Sequence, residues 1–162
     1  MKTLFAFLFT LGALTVAQAQ TSYTISLDSG QEVPPNGSTA TGSGTATLTG
    51  TTLSISLNYT GLTGPPSLGH IHGPAAAGAN ASPIFNFNVT GLGTSGSIST
   101  NFTYTAQQIT DLNNLLHYVN LHTAANGGGE IRGQIVPVPE PSTLALLGLG
   151  AGALVLRLRR KN

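Results

Sequence analysis

Apolar and polar residues alternate with period two along most of the chain. Tyr23, Ile25 and Leu27 alternate with Thr24, Ser26 and Asp28, and Leu53, Ile55, Leu57 and Tyr59 alternate with Ser54, Ser56 and Asn58. Phe85, Phe87 and Val89 are separated by Asn86 and Asn88, while Ile98, Thr100, Phe102 and Tyr104 form a further set. Ile131 and Ile135 alternate with Glu130, Arg132 and Gln134. One apolar face per segment is the mark of half-buried antiparallel strands. Gly50-Thr51 predicts a tight hairpin, and turn clusters at 34–37, 64–66, 91–93 and 126–129 punctuate the rest. One stretch changes period. Thr105 and Gln108 make a capping box, and Ile109, Leu112, Leu115 and Leu116 recur at helical spacing, so a helix is predicted from about Ala106 to Leu116. The pattern predicts an all-β fold, an antiparallel β-sandwich of about seven or eight strands with one short crossover helix across one end.

Both ends of the chain depart from this alternation. Lys2, an apolar run from Leu4 to Val16, and the small-residue pattern Ala17-Gln18-Ala19 read as a signal peptide over 1–19, with an uncleaved N-terminal anchor as the alternative. At the other end, Pro139-Glu140-Pro141 precedes an uncharged run from Ser142 to Leu156, then Arg157, Arg159, Arg160 and Lys161. As a helix the run would reach roughly 22 Å, against a hydrocarbon core of about 30 Å. It is marginal for a permanent span and adequate for a transient one. The cationic end favours a cytoplasmic C-terminus. In its order of parts, 137–162 resembles a PEP-CTERM sorting signal. The resemblance implies recognition by exosortase, a membrane-embedded cysteine transpeptidase, in a Gram-negative bacterium that makes exopolysaccharide. It implies the secretion machinery and the inner membrane as transient partners, with the cell surface or extracellular matrix as the destination.

Setting the ends aside changes the charge picture. The whole chain carries a formal net charge of +1, yet 20–136 keeps Arg132 as its single cation against Asp28, Glu32, Asp111 and Glu130. With no basic patch to neutralise phosphates, nucleic acid is excluded as a partner. The chain has no cysteine, which removes disulfides, thiolate chemistry and cysteine-ligated zinc. The remaining ~115 residues suffice for one domain with a modest core.

The candidate chemistry is histidine-based. Residues i and i+2 of a strand share a face about 6.6 Å apart, so His70 and His72 point the same way. Tyr118, Asn120 and His122 likewise share a face, as do Glu130, Arg132 and Gln134. Pairing of these two strands through the 124–129 turn would bring His122 near Glu130. A site of His70, His72 and His122, with Glu130 as fourth ligand or outer support and Arg132 beside it, suits zinc or copper. An open position on such an ion could activate water. The competing reading is structural: each ring donates to a neighbouring carbonyl, and Glu130 and Arg132 pair with charges on adjacent strands. His117 reads as an ordinary polar residue at the helix end. No serine-hydrolase elbow or phosphate loop is present. Glu32 and Glu130 lack an aromatic platform that would make them a glycosidase pair. Four histidines and no cysteine are too few for a copper/zinc superoxide dismutase site.

Four separated motifs carry a second resemblance. Glu32-Val-Pro-Pro, His70-Ile-His-Gly-Pro-Ala75, Tyr118-Val-Asn-Leu-His-Thr and Gly129-Glu-Ile-Arg-Gly-Gln are similar to the marks of the CHRD domain, over roughly Tyr23 to Val136. Such domains occur in bacterial exported proteins and in animal chordin, an extracellular antagonist of growth factors. The resemblance implies the module rather than its activity; the preferred reading is an exported, surface- or matrix-associated protein with a structural, adhesive or binding role and no catalysis, meeting exopolysaccharide or other surface proteins. The alternative is a zinc- or copper-dependent binding protein or enzyme using His70, His72 and His122.

Overall fold

The alternating segments become eight strands. In the computed structural model, which describes residues 19–139, these are β1 (Gln20–Asp28), β2 (Thr41–Thr49), β3 (Thr52–Thr60), β4 (Pro66–His72), β5 (Pro83–Asn86), β6 (Gly96–Thr103), β7 (Tyr118–Thr123) and β8 (Ile131–Pro137). A 3-10 turn, Ser29–Gln31, follows β1, and helix α1, Ala106–Asn113, precedes β7. The predicted signal segment up to Gln18, with Ala17, and the sorting segment from Glu140, with Pro141, lie outside the described residues. Ala19 and Pro139, at the two limits, are exposed. Among the described residues no helix is long and apolar enough to cross a membrane.

The strands form one antiparallel sheet in the order β5-β4-β7-β8-β1-β2-β3-β6, not the two packed sheets of the expected sandwich. The sheet curls into a nearly closed barrel. Its two outermost strands meet through side chains: Phe85 of β5 stacks on Phe102 of β6 with ring centroids 4.7 Å apart, and on Tyr104 at 5.0 Å. Alternation identifies which face is buried but is the same for one curled sheet and for two packed ones. The curl depends on glycine at inward positions. A Cβ at Gly133 would lie 2.1 Å from the Ser26 carbonyl oxygen, so β8 and β1 approach here only without a side chain. The inward residues Tyr23, Ile25, Leu27, Leu53, Leu57, Ile71, Leu121 and Ile135 fill the interior.

Outside, β1, β2, β3 and β6 present rows of hydroxyls and amides. Thr24, Thr45, Ser56 and Ser99 are cross-strand neighbours in one row, and Ser22, Thr47, Ser54 and Asn101 in the next. The Gly50-Thr51 hairpin forms as predicted between β2 and β3, with Gly50 at φ 59. Helix α1 begins at the predicted capping box, Thr105 with Gln108, but stops at Asn113, short of Leu116. Leu115 takes a left-handed φ of 62 and is exposed, so it leaves the apolar helix stripe and turns the chain into β7.

Strand β7 departs from half-burial: all six of its residues are buried. Val119 and Leu121 face the barrel interior, whereas Tyr118, Asn120 and His122 lie on the outer face. A loop carrying Glu32 and a loop carrying Asn80 and Ala81 reach these outer side chains and that of Arg132. This second, polar layer positions the candidate site.

Candidate functional site

Strands β4 and β7 bring three imidazoles together. Antiparallel pairing sets Leu68 opposite His122, His70 opposite Asn120 and His72 opposite Tyr118, so His122 lies diagonal to His70, with His72 farther along β4. Candidate ligand atoms of His70, His72 and His122 lie within 4.8 Å of one another. His70 Nδ1 is 3.2 Å from His122 Nε2, and the His70 ring meets the His72 ring edge-on at 5.2 Å. A tetrahedral zinc with nitrogens at about 2.0–2.1 Å needs them roughly 3.4 Å apart. The first pair already satisfies this, and no separation within the cluster exceeds 4.8 Å.

Backbone carbonyls fix two of the rings. His72 Nδ1 donates to Ala81 O at 2.8 Å, and His122 Nδ1 donates to Gly127 O at 3.0 Å. A carbonyl only accepts, so each Nδ1 carries the proton and each Nε2 keeps its lone pair. His72 Nε2 is buried without a hydrogen-bond partner. Burial, joined by the neighbouring His122 and His72 charges, pushes His70 down to about 4. Burial also lowers His72 and His122, against the opposing effect of their carbonyl bonds. All three rings are therefore neutral at pH 7, the form that ligates metal.

Behind His72 stands a stack. The Tyr118 ring lies parallel to His72 at 4.9 Å, and the Arg132 guanidinium sits 3.5 Å from the centre of the Tyr118 ring. Tyr118 OH accepts from Ala81 N, the residue whose carbonyl holds His72. Arg132 thus supports the cluster through Tyr118 rather than by touching a histidine.

A family model described as the CHRD domain matches residues 23–135, which include every member of this arrangement. The chain belongs to the CHRD domain family. Residues 137–161 match the PEP-CTERM protein-sorting motif, which implies export to the cell surface and processing by exosortase. No curated protein and no solved structure matches the chain.

In this CHRD domain the expected fourth member of the site is elsewhere. Glu130 N bonds Leu121 O, so its backbone sits beside β7 as anticipated. Its carboxylate, however, accepts from Ser38 Oγ at 2.7 Å, Thr63 N at 2.8 Å, Thr63 Oγ1 at 2.7 Å and Thr123 Oγ1 at 2.5 Å. Burial by itself would raise this carboxyl, but those bonds outweigh it and hold it at about 2. Glu130 is a buried clasp joining β7 to two loops, and four donors occupy the oxygens a metal or a glycosidic reaction would need.

Three features of the CHRD domain were not foreseen from sequence. Glu32 is buried and takes a bond to Oε2 from Asn120 Nδ2 at 3.3 Å; Oε1 has no partner. Burial raises its carboxyl to about 7, against the pull of Arg132 and the Asn120 bond. His117 is 1 % exposed, not a surface polar residue; its ring packs 5.5 Å from Tyr104, and burial lowers it. The Ala81 and Gly127 carbonyls that orient the histidines carry no side-chain signal at all.

Proposed function

We propose that this protein is a non-catalytic binding module, delivered by its sorting motif to the cell surface or matrix, that seats one zinc or copper ion on His70, His72 and His122. The observation that carries this reading is the set of three neutral imidazoles within 4.8 Å, two of them oriented by carbonyls so that Nε2 carries the lone pair, with His72 Nε2 unpartnered and His122 Nε2 facing His70 Nδ1. Carbonyl-oriented rings are the usual outer support of metal-ligating histidine. His70 is only partly buried, which leaves an approach for a further ligand, such as a donor from exopolysaccharide or a neighbouring surface protein. A purely structural role for the rings leaves His72 Nε2 buried and unpaired, at a cost of about 1–3 kcal/mol.

The test is metal analysis of the exported protein purified without a histidine tag. One zinc or copper per chain is expected, lost when His70, His72 and His122 are all changed to Ala. Removal by EDTA should lower the melting temperature. Absence of bound metal, with a melting temperature indifferent to EDTA, zinc and copper, would overturn the reading. Hydrolytic activity in the metal-loaded protein, lost in the same variant, would replace it with an enzyme.

A further inference from the structure

The outer polar layer also contains a cleft that the histidine site does not use. It encloses about 320 Å³ between Glu32, Val33 and Pro35 on one side and Ala77 and Gly78 on the other, with Arg132 of β8 on its wall. Arg132 is the one cation among the described residues and is 1 % exposed. A buried guanidinium is costly unless an anion compensates it. Its acceptors here are neutral: Asn80 Oδ1 at 3.1 Å, Ala79 O at 2.8 Å and Gln134 Oε1 at 3.4 Å. The Tyr118 face offsets only part of the charge. Glu32 lines the same cleft, yet its hydrogen bond comes from Asn120 and its Oε1 is buried without a partner.

We propose that this cleft binds a small organic carboxylate, with its charge on Arg132 and a hydrogen bond from Glu32 in its acid form. A single guanidinium matches a planar, singly charged carboxylate; among the described residues there is no second cation for a phosphate dianion. The volume lies at the lower end of small-molecule sites, roughly 300–1,000 Å³, so the occupant is of monosaccharide size or smaller. Two charged or titratable groups face the bound anion, Arg132 and Glu32. Asp28 is engaged with Gln31 N and Nε2 beside the 3-10 turn, and His72 is screened by the Tyr118 ring. Burial holds Glu32 at about 7. Below that pH it is a neutral donor; above it, a carboxylate that repels the ligand. Between pH 6 and pH 8 the neutral fraction falls about ten-fold.

The test is saturation-transfer NMR of the exported protein with acetate, L-lactate and D-glucuronate, using methyl lactate as the uncharged control. Binding of the acids at pH 6 is expected, with no signal from the ester and about a ten-fold loss of affinity at pH 8. Glu32→Gln keeps the shape of the neutral acid and should bind equally at both pH values. Ala77→Phe, an exposed residue at the rim, should abolish binding with the melting temperature unchanged. The proposal is overturned if no acid binds, if the ester binds as well as the acids, or if Ala77→Phe leaves binding intact. None of these readouts involves the histidines, so the metal site and the cleft stand or fall separately.

Discussion

Replacing Glu130 by Gln removes one charge and nothing else of size, at a residue that is 0 % exposed and accepts four hydrogen bonds. Thr63 N can only donate, so the new amide nitrogen is forced toward the Thr63 and Thr123 hydroxyls. Those can rotate to accept, but charge assistance is lost at every bond. The carboxyl is displaced from its usual 4.5 to about 2, which corresponds to roughly 3 kcal/mol at about 1.4 kcal/mol per pH unit. Because the folded-state value is depressed, this contribution is complete above pH 4.5 and is lost as pH falls toward 2. Glu130→Gln should therefore cost about 3 kcal/mol at pH 7 and under about 1 kcal/mol near pH 2.5. Urea unfolding of both proteins at the two pH values measures this, with stability extrapolated linearly. The histidines, which prefer to be neutral in the fold, destabilise both proteins equally in acid and cancel in the difference. A gap of equal size at both pH values would refute the electrostatic account and leave only lost packing.

Two further substitutions test the architecture. Gly133→Ala would place a methyl 2.1 Å from the Ser26 carbonyl oxygen; a loss above about 3 kcal/mol or failure to fold is expected, read by urea unfolding and yield of folded protein. Phe102→Ala removes the ring that faces both Phe85 and Phe87 across the barrel seam. Phe102 is only partly buried, so the loss should be about 2 kcal/mol. Hydrogen exchange should quicken in β5 and β6 and stay unchanged between β1 and β2.

The inward faces of β1 and β3 were readable because burial of alternate residues is imposed locally by the pleat. Closure was not, because it depends on Gly133 meeting Ser26 and on Phe85 meeting Phe102, contacts far apart in the chain. The capping box announced the start of α1, while its end was decided by the turn at Leu115 that feeds β7. His70 and His72 shared a face by strand geometry alone, and the pairing of β4 with β7 then supplied His122. Glu130 shows the limit: it lies just before β8, its N–H bonded to Leu121 O, and its side chain follows Ser38 and Thr63, donors from loops that sequence spacing does not place. The burial of Arg132 and Glu32 was not legible either, because it depends on two loops that fold over them.

The rows of Ser, Thr and Asn outside β1, β2, β3 and β6 also determine how the described domain meets its surroundings. With Arg132, Glu32 and Glu130 enclosed, Asp28 and Asp111 are the formal charges left near water, and both are partly shielded. Dissolved ions weaken interactions between charges and have almost nothing here to act upon. Hydration must rest on uncharged oxygen and nitrogen, so the domain should keep the same dispersal and the same contacts in dilute water and in brine.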